Sequence, residues 1–223
     1  MSELPFHKRP LSYRYYNATL TLIILNVGIF LISMLLSNRV VSTPYGRYPL
    51  LYYYVSLIPY RIVADKSIWQ VVTYMFVHGS VRHILFNMLA LFIFGTALER
   101  RLGSSEFLLY YFLTGVGAGV ATLAVNWYAG MALIPVVGAS GAIYGLLLAY
   151  ATLYPDSRLY VFGILPIRAP LLVLLFAGGA LLFLVTGTRN GVAHLTHLAG
   201  LVFGYLYFVI RMGINPIRVF FRR

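Results

Sequence analysis

The stretch GASGAIYGLLLAYATLY, Gly138 to Tyr154, decides how this chain is read. Its later part is apolar enough for hydrocarbon, while its start holds a hydroxyl, Ser140, in the run Gly138-Ala139-Ser140-Gly141. A second apolar stretch carries His197. Polar groups are costly in lipid and mark function there by default. A hydroxyl able to attack and an imidazole able to take its proton point to acyl transfer within a membrane.

Working outward, the rest of the chain has the same solvent preference. Its 223 residues are 61% hydrophobic and 10% charged, with a mean hydropathy of +0.83. Such a composition cannot cover the surface of a water-soluble fold of this size. Six apolar stretches recur: Ala18 to Leu36, Ile84 to Leu98, Phe107 to Tyr128, Ala142 to Tyr154, Leu171 to Val185 and Val192 to Ile210. Each is a candidate to cross roughly 30 Å of hydrocarbon, which predicts an all-α, six-span, multi-pass membrane protein. The first stretch lacks a small-x-small cleavage pattern and is read as a retained anchor. Cysteine is absent, which excludes disulfides, thiolate metal sites and a cysteine nucleophile.

The basic residues orient the spans. Lys8, Arg9, Arg14, Arg100, Arg101, Arg158, Arg168, Arg211, Arg218, Arg222 and Arg223 all fall on one side of a six-span chain, which the positive-inside rule makes cytoplasmic, termini included. The long first connection carries Arg39, Arg47, Arg61 and Lys66 on the other side, where long connections obey the rule less strictly. The formal charge of +12 is spread between spans, with no basic soluble domain to hold nucleic acid. Its expected partner is anionic lipid, chiefly along the tail 211–223, where arginines alternate with Ile217, Phe220 and Phe221. The predicted organisation is therefore a cytoplasmic segment 1–17, a six-span domain 18–210 and a basic cytoplasmic tail 211–223. Within the domain, the connection 37–80 is rich in aromatic residues, Tyr45, Tyr48, Tyr52, Tyr53, Tyr54 and Tyr60, and is expected to lie partly submerged at the interface.

With this orientation the second, fourth and sixth spans run from outside to inside, and the polar residues near their starts share a depth. Those residues are His83 and Asn87, Ser140 and Tyr144, and His194 and His197. At about 1.5 Å per residue they lie roughly 5 to 10 Å below the outer surface. His83 and Asn87, four apart, share a helical face and can offer donors to one point. Ser140 in a first helical turn would have unpaired backbone N–H groups and the positive dipole end beside it. Gly141 with Gly145, and Gly200 with Gly204, have the spacing that lets membrane helices touch, so the fourth and sixth spans are expected to pack together. Glu99, at the inner end of the second span, is the only carboxylate read inside a span and is too deep to orient His197. A Ser-His dyad rather than a triad is the result.

These residues resemble the rhomboid family of intramembrane serine proteases, over roughly Trp69 to Gly204. GASGAIYG, Gly138 to Gly145, is similar to that family's Gly-x-Ser-Gly-x-x-x-Gly, and His197, Gly200 and Gly204 to its histidine followed by two glycines. In HGSVRHILFN, His83 and Asn87 fall on oxyanion-hole positions and His78 on an accessory histidine, while Glu99 and Arg101 match its Glu-x-Arg. The resemblance implies a six-helix rhomboid-like bundle, with Ser140 as nucleophile, His197 as base, the Ser140 N–H completing the hole and Tyr144 packed under His197. It implies hydrolysis without a cofactor, with transmembrane segments of other proteins as substrates, in the cytoplasmic membrane of a prokaryote. It assigns no oligomeric state. Glu99 and Arg101 are expected to be structural, as are Gly200 and Gly204.

The chain departs from the family pattern at Gln70, which follows Trp69 where arginine is usual, at Thr196, where a small apolar residue is expected, and at His194, an added imidazole able to tune or replace the base. Two alternatives stand beside the protease reading. One is a non-catalytic rhomboid-like protein that binds membrane clients, against which Ser140 and His197 are both intact. The other is a haem or metal protein using His78, His83, His194 and His197. No His-Glu-x-x-His occurs, which argues against a zinc protease, and Asp65 and Asp156 lie in connections, which excludes an aspartyl one.

Overall fold

The structure, a computed structural model, describes residues 11–44, 46–161, 163–186 and 194–221. His7, Lys8, Arg9, Tyr45, Val192, Arg222 and Arg223 lie outside the described residues.

Helix α1 (Ala18–Leu35) leads into a hairpin, β1 (Val40–Thr43) paired antiparallel with β2 (Gly46–Pro49). Three short helices follow: α2 (Leu50–Val55), α3 (Pro59–Ala64) and α4 (Gln70–Thr73), the last running into a 3-10 turn, Tyr74–Phe76. The second long helix is continuous from α5 (Val81–Ala90) through a π-helical turn, Leu91–Gly95, into α6 (Thr96–Leu102). Then come α7 (Ser104–Tyr128), α8 (Ser140–Leu153), a hairpin of β3 (Arg158–Val161) and β4 (Leu165–Arg168), α9 (Ala169–Thr186), α10 (His194–Tyr207) extended by a π-helical turn to Met212, and α11 (Pro216–Phe220).

Five helices are long and apolar enough to cross a membrane: Ala18–Leu35, Val81–Leu102, Ser104–Tyr128, Ala169–Thr186 and His194–Met212. The fourth apolar stretch of the sequence differs. Its helix α8 has 14 residues, about 21 Å at 1.5 Å per residue, short of the hydrocarbon thickness. Ten of those 14 residues are buried, against α7, α9 and α10 among others. A helix enclosed by longer ones can be short, because its flanks meet protein rather than lipid. The segment that enters it, 129–139, pairs with the first connection through Leu57 and Val136, whose N–H and C=O groups exchange bonds of 3.0 and 2.9 Å.

The first connection is anchored by side chains on backbone. Gln70 is fully buried; its amide donates to the Tyr53 and Tyr54 carbonyls at 3.0 and 3.3 Å and accepts from Ile58 N at 3.1 Å. Trp69 Nε1 donates to the Tyr54 carbonyl at 2.8 Å. Arg61 donates to the Tyr53 carbonyl and to Asp65, with its guanidinium 3.9 Å from the Tyr53 ring centre. Gln70 is thus the neutral group that ties this connection together, with the guanidinium supplied from Arg61.

At the opposite end two buried carboxylates hold the bundle. Asn17, which precedes α1, makes no side-chain cap. The cap comes instead from Glu99, which accepts from Ala18 N at 2.6 Å, Thr19 N at 2.9 Å and the Ser104 hydroxyl. Glu106 accepts from the Tyr207 hydroxyl, from Arg211 Nε and Nη2 at 2.5 and 2.8 Å, and from Leu11 N at 3.0 Å. Glu99 is therefore not the only carboxylate inside a span. Helix α7 starts at Ser104 rather than Phe107, because Gly103 at φ 82° ends α6, and this brings Glu106 into a first turn, where a helix dipole favours negative charge. Arg101 is exposed, with no hydrogen bond or ion pair among the described residues. Glu99→Ala orphans two backbone donors at once and is expected to destabilise the protein by about 3 kcal/mol. Thermal unfolding in detergent checks this, with Glu99→Gln, which keeps one acceptor, falling between the two.

Candidate active site

The first turn of α8 is built around Gly138. At φ 116° it adopts a backbone closed to other residues, and a Cβ there would lie 2.7 Å from Cε1 and Nε2 of His83 and 3.8 Å from Ser140 Oγ. The Gly138 N–H is held by the Tyr74 carbonyl at 2.9 Å. Ser140 opens α8 with its own N–H donating to no carbonyl among the described residues, since the first N–H groups of a helix have no intrahelical partner. Its Oγ lies 2.8 Å from His197 Nε2.

His197 sits on α10, which crosses α8 through glycines. A Cβ on Gly200 would lie 2.0 Å from the Gly141 carbonyl oxygen, and one on Gly204 would lie 3.4 Å from Gly145 Cα. Backbone thus meets backbone one turn beyond the Ser140–His197 pair. Thr196 bridges from α10 to α7, its hydroxyl 2.7 Å from that of Thr122. The imidazole of His197 is 8% exposed and stacks on Tyr144, with ring centres 4.2 Å apart and planes 10° from parallel. Phe176 of α9 closes on Tyr144 edge-on at 5.8 Å. His197 Nδ1 is buried, with no hydrogen-bond partner among the described residues.

His83 begins α5, where Ser80 Oγ accepts its backbone N–H at 3.1 Å. Gly79 N–H points at its Nδ1 from 3.4 Å, so that nitrogen accepts and the ring proton belongs on Nε2, the atom facing Gly138. Asn87 donates one amide hydrogen to the His83 carbonyl at 2.7 Å, leaving the other uncommitted. His78 packs edge-on against His83 at 5.0 Å, and His194 stands on α10 with its ring 6.1 Å from His197 and stacked on Phe183 at 5.2 Å. Among the described residues no three side chains of His, Cys, Asp or Glu converge to hold a metal ion.

His78, in the turn before α5, is 1% exposed, and neither ring nitrogen makes a well-aligned hydrogen bond among the described residues. Burial pushes its pKa down to about 4, aided by the neighbouring His83 and opposed by the Phe76 backbone. The unfolded chain therefore binds a proton that the folded one refuses between about pH 6.5 and 4. Stability is complete above that window and falls by about 3 kcal/mol as pH drops through it. Unfolding midpoints measured across this range should flatten in His78→Phe; parallel curves would show that another group sets the acid limit.

Sequence reasoning named the residues that meet here but missed those that hold them. Tyr74, through its carbonyl on Gly138, and Tyr110, whose hydroxyl donates to the Gly145 carbonyl at 2.6 Å, carry no signal in sequence beyond being aromatic.

The Rhomboid domain, as a family model, matches residues 65–213. Among curated proteins, the putative rhomboid protease YdcA of Bacillus subtilis is 34% identical over 142 residues, covering 62% of this chain and 66% of that protein. The rhomboid protease GlpG of Haemophilus influenzae is 30% identical over 145 residues, 64% of this chain and 69% of that one. The rhomboid protease GluP of Bacillus subtilis is 38% identical over 86 residues, 39% of this chain and 16% of that one. The chain spans less than two thirds of the length of YdcA and a small part of GluP.

Proposed function

Since the chain belongs to the Rhomboid family, we propose that it is an intramembrane serine endopeptidase that cleaves transmembrane segments of other proteins through a Ser140–His197 dyad. The observation that carries this is the 2.8 Å contact between Ser140 Oγ and His197 Nε2, in a site lined by spare N–H donors. Ser140 Oγ attacks the scissile carbonyl carbon while its proton passes to His197 Nε2. The carbonyl oxygen becomes an oxyanion that accepts from the Ser140 N–H, His83 Nε2–H and the second Asn87 amide hydrogen. The tetrahedral intermediate collapses to an acyl-enzyme as His197 returns the proton to the leaving amine. Water then attacks, giving a proton to His197, and the second intermediate releases the new carboxyl terminus with Ser140 reprotonated.

Among the described residues no carboxylate orients the imidazole. The Tyr144 ring beneath it does so by stacking, which fixes the ring plane without adding charge. Scissile bonds follow small residues in helices that unwind easily, since an intact helix conceals its carbonyls. The domain 18–210 has six spans with both termini cytoplasmic, α8 being the short central one, and the connection 37–80 is partly submerged on the outer side. The tail 211–223 meets anionic lipid, and the chain resides in the cytoplasmic membrane of a prokaryote.

Labelling by a fluorophosphonate, which reacts with an activated serine, tests the reading in detergent. The unaltered protein should label, and Ser140→Ala and His197→Ala should not; equal labelling of all three overturns the proposal and favours a client-binding protein.

A further inference from the structure

The β3–β4 hairpin joins α8 to α9, and its two faces differ. Leu159, Val161 and Ile167 turn inward and pack against the cluster of Leu147, Leu148, Ala151 and Ala169, while the Ser157 carbonyl accepts Ala169 N–H at 3.0 Å and closes the base. The hairpin is thereby held to the bundle. Its outer face carries Arg158 and Arg168, which are direct cross-strand partners and both exposed. Side chains so paired have Cβ atoms about 5 Å apart on one face, where like charges repel. Neither arginine has a carboxylate within ion-pair distance among the described residues, and the nearby Asp156 pairs with neither. Beyond the arginines, Tyr160 continues their face of the hairpin at 64% exposed and Ile164 follows at the turn, 82% exposed.

Resting on the reading that this connection faces the cytoplasmic leaflet, we propose that the β3–β4 hairpin binds an anionic phospholipid, its phosphate held between Arg158 and Arg168 and its acyl region met by Tyr160 and Ile164. A phosphate oxyanion accepts the forked N–H groups of both guanidiniums and cancels their repulsion. Basic pairs at the ends of membrane helices suit anionic headgroups. A free phosphate would account for the arginines but leave the exposed Tyr160 and Ile164 without a purpose; a lipid answers both, because charge and apolar surface follow one another along the hairpin in the order of headgroup and chain. Bound lipid would then tie together the cytoplasmic ends of α8, which carries Ser140, and α9.

The full chain in non-ionic detergent is titrated with dioctanoylphosphatidylglycerol, dioctanoylphosphatidylcholine or sodium phosphate, reading the thermal unfolding midpoint. Phosphatidylglycerol should raise the midpoint by a few degrees, and the other two should leave it unchanged. In Arg158→Gln/Arg168→Gln the response to phosphatidylglycerol should vanish while the lipid-free midpoint holds or rises, since the repulsion is gone. Ile164→Ser, altering a side chain that is 82% exposed, should weaken the response several-fold, and Arg218→Gln in the tail should retain it. An undiminished response in the double variant, or equal shifts from phosphate or phosphatidylcholine, overturns the proposal. Should the double variant not fold, an undiminished response in Ile164→Ser does so. Fluorophosphonate labelling of the same samples reports separately on the protease reading, because lipid response and Ser140 reactivity can each fail alone.

Discussion

Ser140→Ala is expected to lower cleavage of a transmembrane substrate by on the order of 10⁵-fold, and His197→Ala by about as much, with the double variant no worse than either. Neither group works without the other. An isolated hydroxyl is a poor nucleophile at neutral pH, and the imidazole has no task once Oγ is gone. The residual rate should come from the oxyanion donors and from substrate binding, as removing a nucleophile leaves those intact. The added imidazole makes the His197 result decisive. His194 lies 6.1 Å from His197, its ring stacked on Phe183, whereas the nitrogen in contact with Ser140 Oγ belongs to His197. His194→Ala should therefore stay within about ten-fold of the unaltered protein, an indirect electrostatic effect being worth roughly 1.4 kcal/mol or less. Substantial activity in His197→Ala that disappears when His194 is also replaced would reassign the base. Initial rates on a reconstituted substrate, beside fluorophosphonate labelling, read all five variants.

How legible the molecule is in its sequence depends on the range of the interaction. Apolar length gives five of the long helices directly, since any run that must cross hydrocarbon needs about 20 residues. The same criterion misjudges α8, whose flanks are enclosed by neighbours and whose length is set by packing. The glycine pairs 141/145 and 200/204 announce a close crossing because only small residues allow it, and that crossing is what the structure has. Other features leave no periodic mark. The hairpins are built from four-residue strands, too short for an alternating pattern to stand out from the connections that hold them. Glu106 hides because a span boundary drawn three residues late puts it in a loop. The cap on α1 arrives from Glu99, 80 residues away in sequence, and Gln70 reaches back to carbonyls 16 and 17 residues before it. Long-range hydrogen bonds of this kind cannot be read from local pattern; only the burial of a polar residue, visible after folding, discloses them.

Gly200→Ala is expected to cost at least 10²-fold in activity together with a large loss of stability, although the residue touches no reacting atom. The added Cβ would lie 2.0 Å from the Gly141 carbonyl oxygen and 2.9 Å from its carbonyl carbon. Both are backbone atoms of a helix, so no rotamer change relieves the overlap, and an ordinary contact near 3.4 Å requires α10 to move from α8 by more than about 1 Å. Gly141 adjoins Ser140, and Gly200 is one turn after His197, so the shift falls on the 2.8 Å contact between them. An ångström of misplacement between reacting groups is worth about 10² in rate. Gly204→Ala should be milder, because its first obstacle, 2.5 Å away, is the Tyr110 hydroxyl at the end of a side chain. Gly178→Ala in α9, where a Cβ meets nothing within 4 Å, should leave activity unchanged and gain helix propensity. Unfolding midpoints and fluorophosphonate labelling rates of the three variants should rank 178, then 204, then 200. A Gly200→Ala protein that labels as fast as Gly178→Ala would mean that the dyad's alignment does not depend on this crossing and is set elsewhere on α10.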